Sequence, residues 1–486
     1  MQTDMLVKSA MHLPHGLRQF DELPGPRGIP LLGNALQIEA PRFHLQLEDW
    51  CREHGPFFKL QIGNRKLLVV GDHHAITAVL RDRPDGLSRT SRLEQIWTEL
   101  GLPVGVFGAN GDVWQRQRRM VMAGFDPAHV KRYFPALQAV SQRLAGRWRL
   151  AAQKSVSIDL QADLMRYTVD TIAGLAFGAE VNTLESDDDV IQQHLDKIFP
   201  ALTQRTLALV PTWRFLPSAA DRQLAHSIAE VNAAVAGFVG QARARLQADP
   251  ALREHPNNLL EVMLVAADQT GSGIDDQQVA GNVLTMLLAG EDTTANTIAW
   301  MIYLLWRNPQ ALTRATCEVR RVVADAANPT FDEMAQLNYV EACASETMRL
   351  KPVAPLILLQ TLHAMTIGDV QVPAGIIVGC LMRRDSVSDS HLPHAAAFQP
   401  ERWLAGGEAG GQATAAKRIS MPFGAGPRIC PGRYLALLEM KMAMAALLHN
   451  FDIESVDTPD GEEAREHLSF TMTPVGLRMR LRTRRS

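Results

Sequence analysis

Cysteine is scarce: the 486 residues hold five, at positions 51, 317, 343, 380 and 430, and no two form a Cys-x-x-Cys pair. That pattern excludes a disulfide framework and a structural zinc site, and it fits a reducing compartment. Long apolar runs are missing as well. No window approaches the ~18 consecutive apolar residues of a membrane-spanning helix, and the best stretch, 298–306, is far too short. Residues 1–20 carry His12, Pro14, His15 and Arg18 where a secretory leader would need an apolar core. Neither sign of charge is in excess. With 49 basic and 52 acidic residues the net charge is -3, which argues against a nucleic-acid binder, whose affinity rests on neutralising phosphates. Glycine (34) and proline (27) are near average usage, so collagen-like and low-complexity chains are out. These absences predict a soluble, cytoplasmic protein with no membrane span and no nucleic-acid partner.

What is present is a globular composition, 46% hydrophobic and 21% charged, able to bury a large core. Length alone would allow about three domains. The chain opens on Leu23-Pro24-Gly25-Pro26-Arg27-Gly28-Ile29-Pro30, too proline-rich for helix. Two β-like runs, 57–62 and 66–70, flank a Gly63-Asn64 turn signal and predict a hairpin. Apolar residues at three- and four-residue steps predict helices over 130–150, 160–177, 219–248 and 275–306, and Pro250, Pro309 and Pro352 close three helical stretches. Short β pieces follow over 361–380, then a loop-rich region over 385–426 and a last helix over 434–448. At the end Leu477, Met479 and Leu481 alternate with Arg478, Arg480 and Arg482, the period of a strand with a charged outer face. No internal repeat and no linker is visible. The expected fold is mainly α with a minor β part, one domain over 1–486, with residues 1–22 a flexible lead-in.

Cys430 has neighbours unlike those of the other cysteines. It sits in Phe423-Gly424-Ala425-Gly426-Pro427-Arg428-Ile429-Cys430-Pro431-Gly432, just before the last helix. A thiolate there would meet unpaired backbone N–H groups and the positive end of a helix dipole, both of which lower a thiol pKa. The glycines allow close approach to a flat ligand, and Arg428 can meet a carboxylate. Such a site suits a soft metal ligand; the alternatives are a buried structural cysteine or a phosphate loop, and the latter lacks both a preceding strand in a βαβ unit and a following Lys-Ser/Thr. Two other clusters read as bland: His73-His74 as a surface pair and Asp187-Asp188-Asp189 as a solvated loop.

At these residues the chain resembles the cytochrome P450 family of haem-thiolate monooxygenases. The family's haem-loop pattern, Phe-x-x-Gly-x-Arg-x-Cys-x-Gly, is met at Phe423, Gly426, Arg428, Cys430 and Gly432. The resemblance implies a long central helix over haem with small β-sheets beside it. It implies Cys430 as the axial ligand of haem b iron, Phe423 and Gly424 against the haem, and Arg428 reaching a propionate. Ala289-Gly290-Glu291-Asp292-Thr293-Thr294 lies midway along the apolar helix 275–306. An acid beside an alcohol is costly to bury, and Gly290 weakens a helix locally; a solvent-facing patch is the other reading. The resemblance places Ala289 against the haem, makes Thr293 a hydrogen-bond partner of bound dioxygen and Asp292 a proton relay, and turns Glu291 towards another helix.

Glu346-x-x-Arg349 and Pro400-Glu401-Arg402-Trp403 match further family segments and imply a structural triad of Glu346, Arg349 and Arg402. Trp114-x-x-x-Arg118 matches the family's propionate-binding pair. One position departs: a third propionate-binding Arg or His would fall at about Leu359. The implied activity uses O2 and electrons from a separate ferredoxin or flavodoxin-type donor and its reductase, since the chain ends soon after its last strand. The substrate would be an apolar small molecule, hydroxylated, epoxidised or coupled, in secondary metabolism or lipid and terpenoid oxidation. Lys417, Arg418, Arg433 and Lys441 would form the donor's docking face. Pocket contacts would come from 93–100, 285–289, 353–356 and the turn near Val475. Two other readings stand beside this one: an α-helical isoprenoid synthase, which lacks its paired Asp-rich motifs here, and a haem carrier without catalysis, which would not need Asp292 and Thr293.

Overall fold

A computed structural model describes residues 16–484 except 126, 179–180, 186–189 and 405–408. Helices form where the apolar periodicity predicts them, and side-chain caps set their ends. Leu160–Phe177 starts behind Asp159, whose side chain accepts from Ala162 N, and stops at Gly178 with φ +62°. Ala219–Ala248 starts on a reciprocal Ser218–Asp221 capping box, and the long helix Asp276–Arg307 on one between Asp275 and Gln278. Pro309 opens the next helix, Pro309–Val322, where its fixed φ suits the first turn. The last helix runs Arg433–Asn450. No helix among the described residues is long and apolar enough to cross a membrane.

The predicted hairpin is Phe57–Ile62 and Arg65–Val70, turning at Gly63 with φ +60°. It continues into a five-stranded sheet through Ile377–Leu381, Leu356–Thr361 and Leu87–Arg89 in that order, parallel at the second step and antiparallel elsewhere. In the C-terminal strand Arg478–Thr483, Met479 and Leu481 are buried while Arg478, Arg480 and Arg482 are exposed, as their alternation predicts.

Three expectations change. Residues 16–22 are no flexible lead-in: Arg18–Gln19 pairs with Val370–Val372, Arg18 grips Asp369 at 2.7 and 2.9 Å, and Phe20 is buried. The region 385–426 contains a helix, Ala409–Ser420, because Ala416 and Ile419 find an apolar seat on Leu392 and Ala395. Gly410-Gly411 lies inside it, and tertiary burial overrides their poor propensity. His73 is not at the surface: it is buried, with its backbone N–H and Nδ1 on Asp385 at 2.9 and 2.8 Å, while His74 is exposed. Asp187-Asp188-Asp189, Gly406-Gly407 and residues 1–15 lie outside the described residues.

The long helix positions everything that follows. Its first half, Val279 to Leu288, belongs to one hydrophobic core with Trp97, Phe177 and Leu435. Its second half, Ala295 to Leu305, belongs to another with Trp148, Tyr167 and Leu447. The polar step 289–294 falls between the two.

Candidate active site

The cysteine loop is closed by Cys430 N–H donating to Phe423 O at 2.9 Å. Gly424 and Gly426 hold φ +74° and +71°, a region in which side chains are strained. At Gly426 a Cβ would also lie 2.5 Å from Leu80 O, whereas at Gly424 it would meet nothing within 4 Å, so the backbone leaves open space there. Burial pushes the Cys430 thiol above its ordinary pKa, against the Gly432 N–H and the charges of Arg118 and Arg433, which pull it down. The backbone N–H lowers the thiol as expected at the helix start, but desolvation is the stronger effect. Cys430 keeps some accessible surface. Cys51, Cys343 and Cys380 are buried with raised thiols, Cys380 to about 12, and Cys317 is exposed.

Beside the loop lies a group of arginines. Trp114 and Arg118 come from the helix Gly111–Gly124, the Arg428 guanidinium stacks on Trp114 at 4.5 Å, and Arg118 Nη2 donates to Ile429 O at 2.6 Å. Arg428 Nη2 donates to Ala109 O at 2.7 Å, while its buried Nε has no partner. Arg83 and Arg89 complete the group. Desolvation and mutual repulsion lower Arg428 to about 10 and Arg89 to about 9. No carboxylate forms an ion pair with any of the four among the described residues.

On the long helix, Ala289 is exposed and Gly290 and Thr293 partly so, within a helix otherwise mostly buried. Thr293 Oγ donates to Ala289 O at 2.7 Å. Gly290 does not break the helix: a Cβ there would lie 2.5 Å from Ile172, so glycine lets the helix Leu160–Phe177 pack close. Burial raises the Asp292 carboxyl, which accepts from Asn296 at 2.6 Å and from Thr471 on the hairpin Glu466–Leu468/Met472–Pro474. Glu291 is buried and hydrogen-bonds Asp196, whose carboxyl burial and the nearby Asp292 push up to about 6. Glu439, nine residues beyond Cys430, is buried, pushed to about 8, and bonded to Thr294; this contact ties the cysteine helix to the long helix.

Glu346, Arg349 and Arg402 meet as the resemblance implies, all fully buried. Arg349 grips both Glu346 oxygens at 2.7 and 2.8 Å, and Arg402 Nε reaches one at 3.0 Å. Trp403 Nε1 adds a bond of 2.8 Å. Of the four docking residues, Lys417 and Arg418 are exposed and Arg433 partly so, but Lys441 is buried and ion-paired with Glu341. It leaves the docking face because it sits on the inner side of its helix. The hairpin turn that reaches the long helix is 469–471 rather than the one near Val475, and its Phe470 stacks on Phe199 at 4.5 Å and meets Phe107 at 5.7 Å. Sequence reasoning missed Arg89, Asp196, Thr471, Glu439 and this aromatic group; none carries a local pattern, and only the fold assembles them.

The family model "Cytochrome P450" matches residues 23–481. Cytochrome P450 97B2, chloroplastic, of Glycine max is 26% identical over 460 residues, covering 86% of this chain and 79% of that protein. The self-sufficient cytochrome P450 monooxygenase CYP505E5 of Aspergillus niger is 25% identical over 482 residues, and the match covers 96% of this chain but 44% of that protein. The crystal structure of the cytochrome P450DA haem domain superposes with a TM-score of 0.82 at 25% identity, covering 97% of this chain and 99% of that one. The chain belongs to the cytochrome P450 family, a family of monooxygenases whose fold binds haem through a cysteine thiolate. The soluble, bacterial-type expectation gains no support, since these relatives come from a plant and a fungus.

Proposed function

We propose that this cytochrome P450 is a haem-thiolate monooxygenase in which Cys430 ligates the iron and an apolar small molecule is oxidised. The observation that carries the reading is the break between the two cores at 289–294, on a helix that the Glu439–Thr294 bond ties to the helix following the cysteine loop. A flat, largely apolar cofactor with two carboxylates fits the residues around that loop. The glycine at 424 leaves room, Phe423 and Ala289 offer apolar contact, and Trp114, Arg118 and Arg428 offer a stacking ring and cations without protein counter-ions. Bound haem would supply the redox chemistry by which dioxygen, two electrons and two protons leave one oxygen atom in the substrate and one in water.

The chain's own residues supply position and protons. Thr293 holds its hydroxyl against Ala289 O and keeps its oxygen free to accept a further bond. Asp196 is exposed at one edge and bonded to buried Glu291, which adjoins Asp292; with Asp196 near neutrality, these three carboxyls form a route for protons from solvent to the long helix. Asp292 also fastens the hairpin to the helix through Thr471, so the acid shapes the pocket as well. Leu93, Trp97, Phe107, Phe199 and Phe470 give the pocket an apolar, aromatic wall suited to a fatty acid, terpenoid, polyketide or modest aromatic.

Electrons reach this chain from a separate donor that docks on Lys417, Arg418, Arg433 and exposed Arg119; the reach of the self-sufficient relative beyond the matched region makes a fused donor the competing arrangement. No helix among the described residues is long and apolar enough to cross a membrane, and a chloroplast relative names one candidate compartment. The reduced protein with carbon monoxide should show the strongly red-shifted Soret band of thiolate ligation, lost in Cys430→Ala. Absence of that band in folded, haem-loaded wild type would overturn the reading.

A further inference from the structure

Of the adjacent pair His73-His74 the fold takes only His73 inside, and its place there assembles a second cluster of ligand atoms. The helix His73–Arg81 brings His73, and the short helical turn Asp385–Val387 with the residues after it brings Asp385 and His391. One nitrogen or oxygen from each of these three side chains lies within 4.8 Å of the other two. His73 Nδ1 is 2.8 Å from Asp385 Oδ2, and His391 Nε2 is 3.6 Å from Asp385 Oδ1. The two imidazoles stand edge to face with centroids 4.9 Å apart.

Hydrogen bonding accounts for part of this arrangement. Asp385 Oδ2 accepts from the backbone N–H of His73, and Arg384 reaches Oδ1. Burial would raise the Asp385 carboxyl, but the His73 bonds and Arg384 hold it below its ordinary pKa, so it stands as an anion at neutral pH. Two features are left over. His73 is only 3% exposed, yet its Nε2 has no partner; nothing in the protein fixes that nitrogen, so it can carry the ring proton while Nδ1 serves as a ligand. The 3.6 Å between His391 and Asp385 is too long for a hydrogen bond. It matches two ligands on one ion, because bonds of about 2.0–2.2 Å at the tetrahedral angle set their ligand atoms about 3.3–3.6 Å apart. His391 is partly exposed, which leaves one side of the cluster open for entry and for a water ligand. Arg384 is the cation an ion would displace, and its partly exposed side chain can swing into solvent while the carboxylate keeps a positive partner. Two imidazoles and a carboxylate are the donors of zinc and the other late transition metals, whereas Mg2+ and Ca2+ take mostly oxygen.

We infer that His73, Asp385 and His391 form a binding site for one divalent ion of the zinc class, with water in the remaining position. Such an ion clips together two segments 312 residues apart in the chain. Its role is structural, since both segments lead to the seat of the cysteine loop. The helix His73–Arg81 carries Leu80, whose carbonyl lies close beside Gly426, and Ser386 Oγ donates to Arg349 O at 3.1 Å in the buried knot. Neither the ligands nor the test depends on the haem-thiolate reading above.

The purified full-length holoprotein would be stripped with EDTA and dialysed against micromolar ZnCl2, and the retained zinc counted by atomic emission. Wild type should hold one Zn2+ per chain. His391→Gln, at the partly exposed ligand, should weaken binding about ten- to a hundredfold, and His73→Gln should do the same. Should the buried His73→Gln fail to fold, His391→Gln alone decides. Zinc at a large excess over its dissociation constant should raise the unfolding temperature of wild type by roughly 2–4 °C, and MgCl2 at the same concentration should not. That shift should vanish in His391→Gln and persist in His226→Gln, whose exposed ring lies outside the cluster. Lack of zinc uptake by wild type, or equal uptake by wild type and His391→Gln, would overturn the proposal. So would an equal thermal shift with Mg2+, or loss of uptake in His226→Gln with His391→Gln unaffected, which would move binding to other histidines.

Discussion

Two groups of buried arginines stand on either side of the cysteine loop, and they are handled in opposite ways. In the knot under the loop, every N–H of Arg349 is used: two on Glu346, the others on the carbonyls of Ser386, Ala395 and Ala397. Arg402 joins the same carboxylate and the carbonyls of Pro393 and His394. In the group beside the loop, Arg83, Arg89, Arg118 and Arg428 reach backbone carbonyls, an amide oxygen and aromatic rings, and no carboxylate among the described residues. The first group is complete as protein. The second has no carboxylate partner among the described residues. Pairing, more than burial, separates the two groups.

That contrast can be broken by experiment, and the largest effect belongs to the complete knot. Arg349→Met leaves Glu346 buried with Arg402 as its only ion-pair partner, and should cost about 3–5 kcal/mol of stability or prevent recovery of folded protein. Denaturant unfolding monitored by far-UV circular dichroism measures it, and a loss no larger than that of Arg89→Met would erase the distinction. A second paired site gives a pH signature. Burial alone would raise the Glu466 carboxyl, but His44, Arg383 and Lys351 at 2.7 to 2.8 Å hold it well below its ordinary 4.5. A depressed acid stabilises fully above its unfolded pKa, and that stability drains away as pH falls towards the folded value. Unfolding free energy should therefore decline below about pH 4.5, and Glu466→Gln should flatten the decline while lowering stability at pH 7; parallel acid profiles would contradict the assignment. The smallest effect is expected at the surface. Arg478 and Asp159 lie 3.1 Å apart but half exposed, so Arg478→Ala should shift stability by less than about 1 kcal/mol, read from the same unfolding curves.

Much of this was legible in the chain. Helix 160–177 could be bounded to the residue because Asp159 and Gly178 are local signals whose physics acts within one turn. The cysteine loop, the 289–294 step and the Glu346 and Arg402 segments were legible because their chemistry is compressed into short patterns. The buried state of His73 was not, since its partner Asp385 lies 312 residues away. Nor was the helix Ala409–Ser420, whose glycines speak against it and whose apolar seat is supplied by other segments. Lys441 looked like its basic neighbours until the packing of its helix turned it inward onto Glu341.

By itself the sequence singled out the candidate residues: one cysteine among five, an acid–alcohol step in an apolar helix, a Trp and two Arg with family spacing. Those properties are local, set by backbone propensity and side-chain type. Only the tertiary structure decided which charges are neutralised and which stay open, because that depends on partners brought together across hundreds of residues. Arg89 shows the difference. In the chain it is one basic residue of 49 Lys and Arg; strand register sets it opposite Leu359, with no carboxylate partner among the described residues.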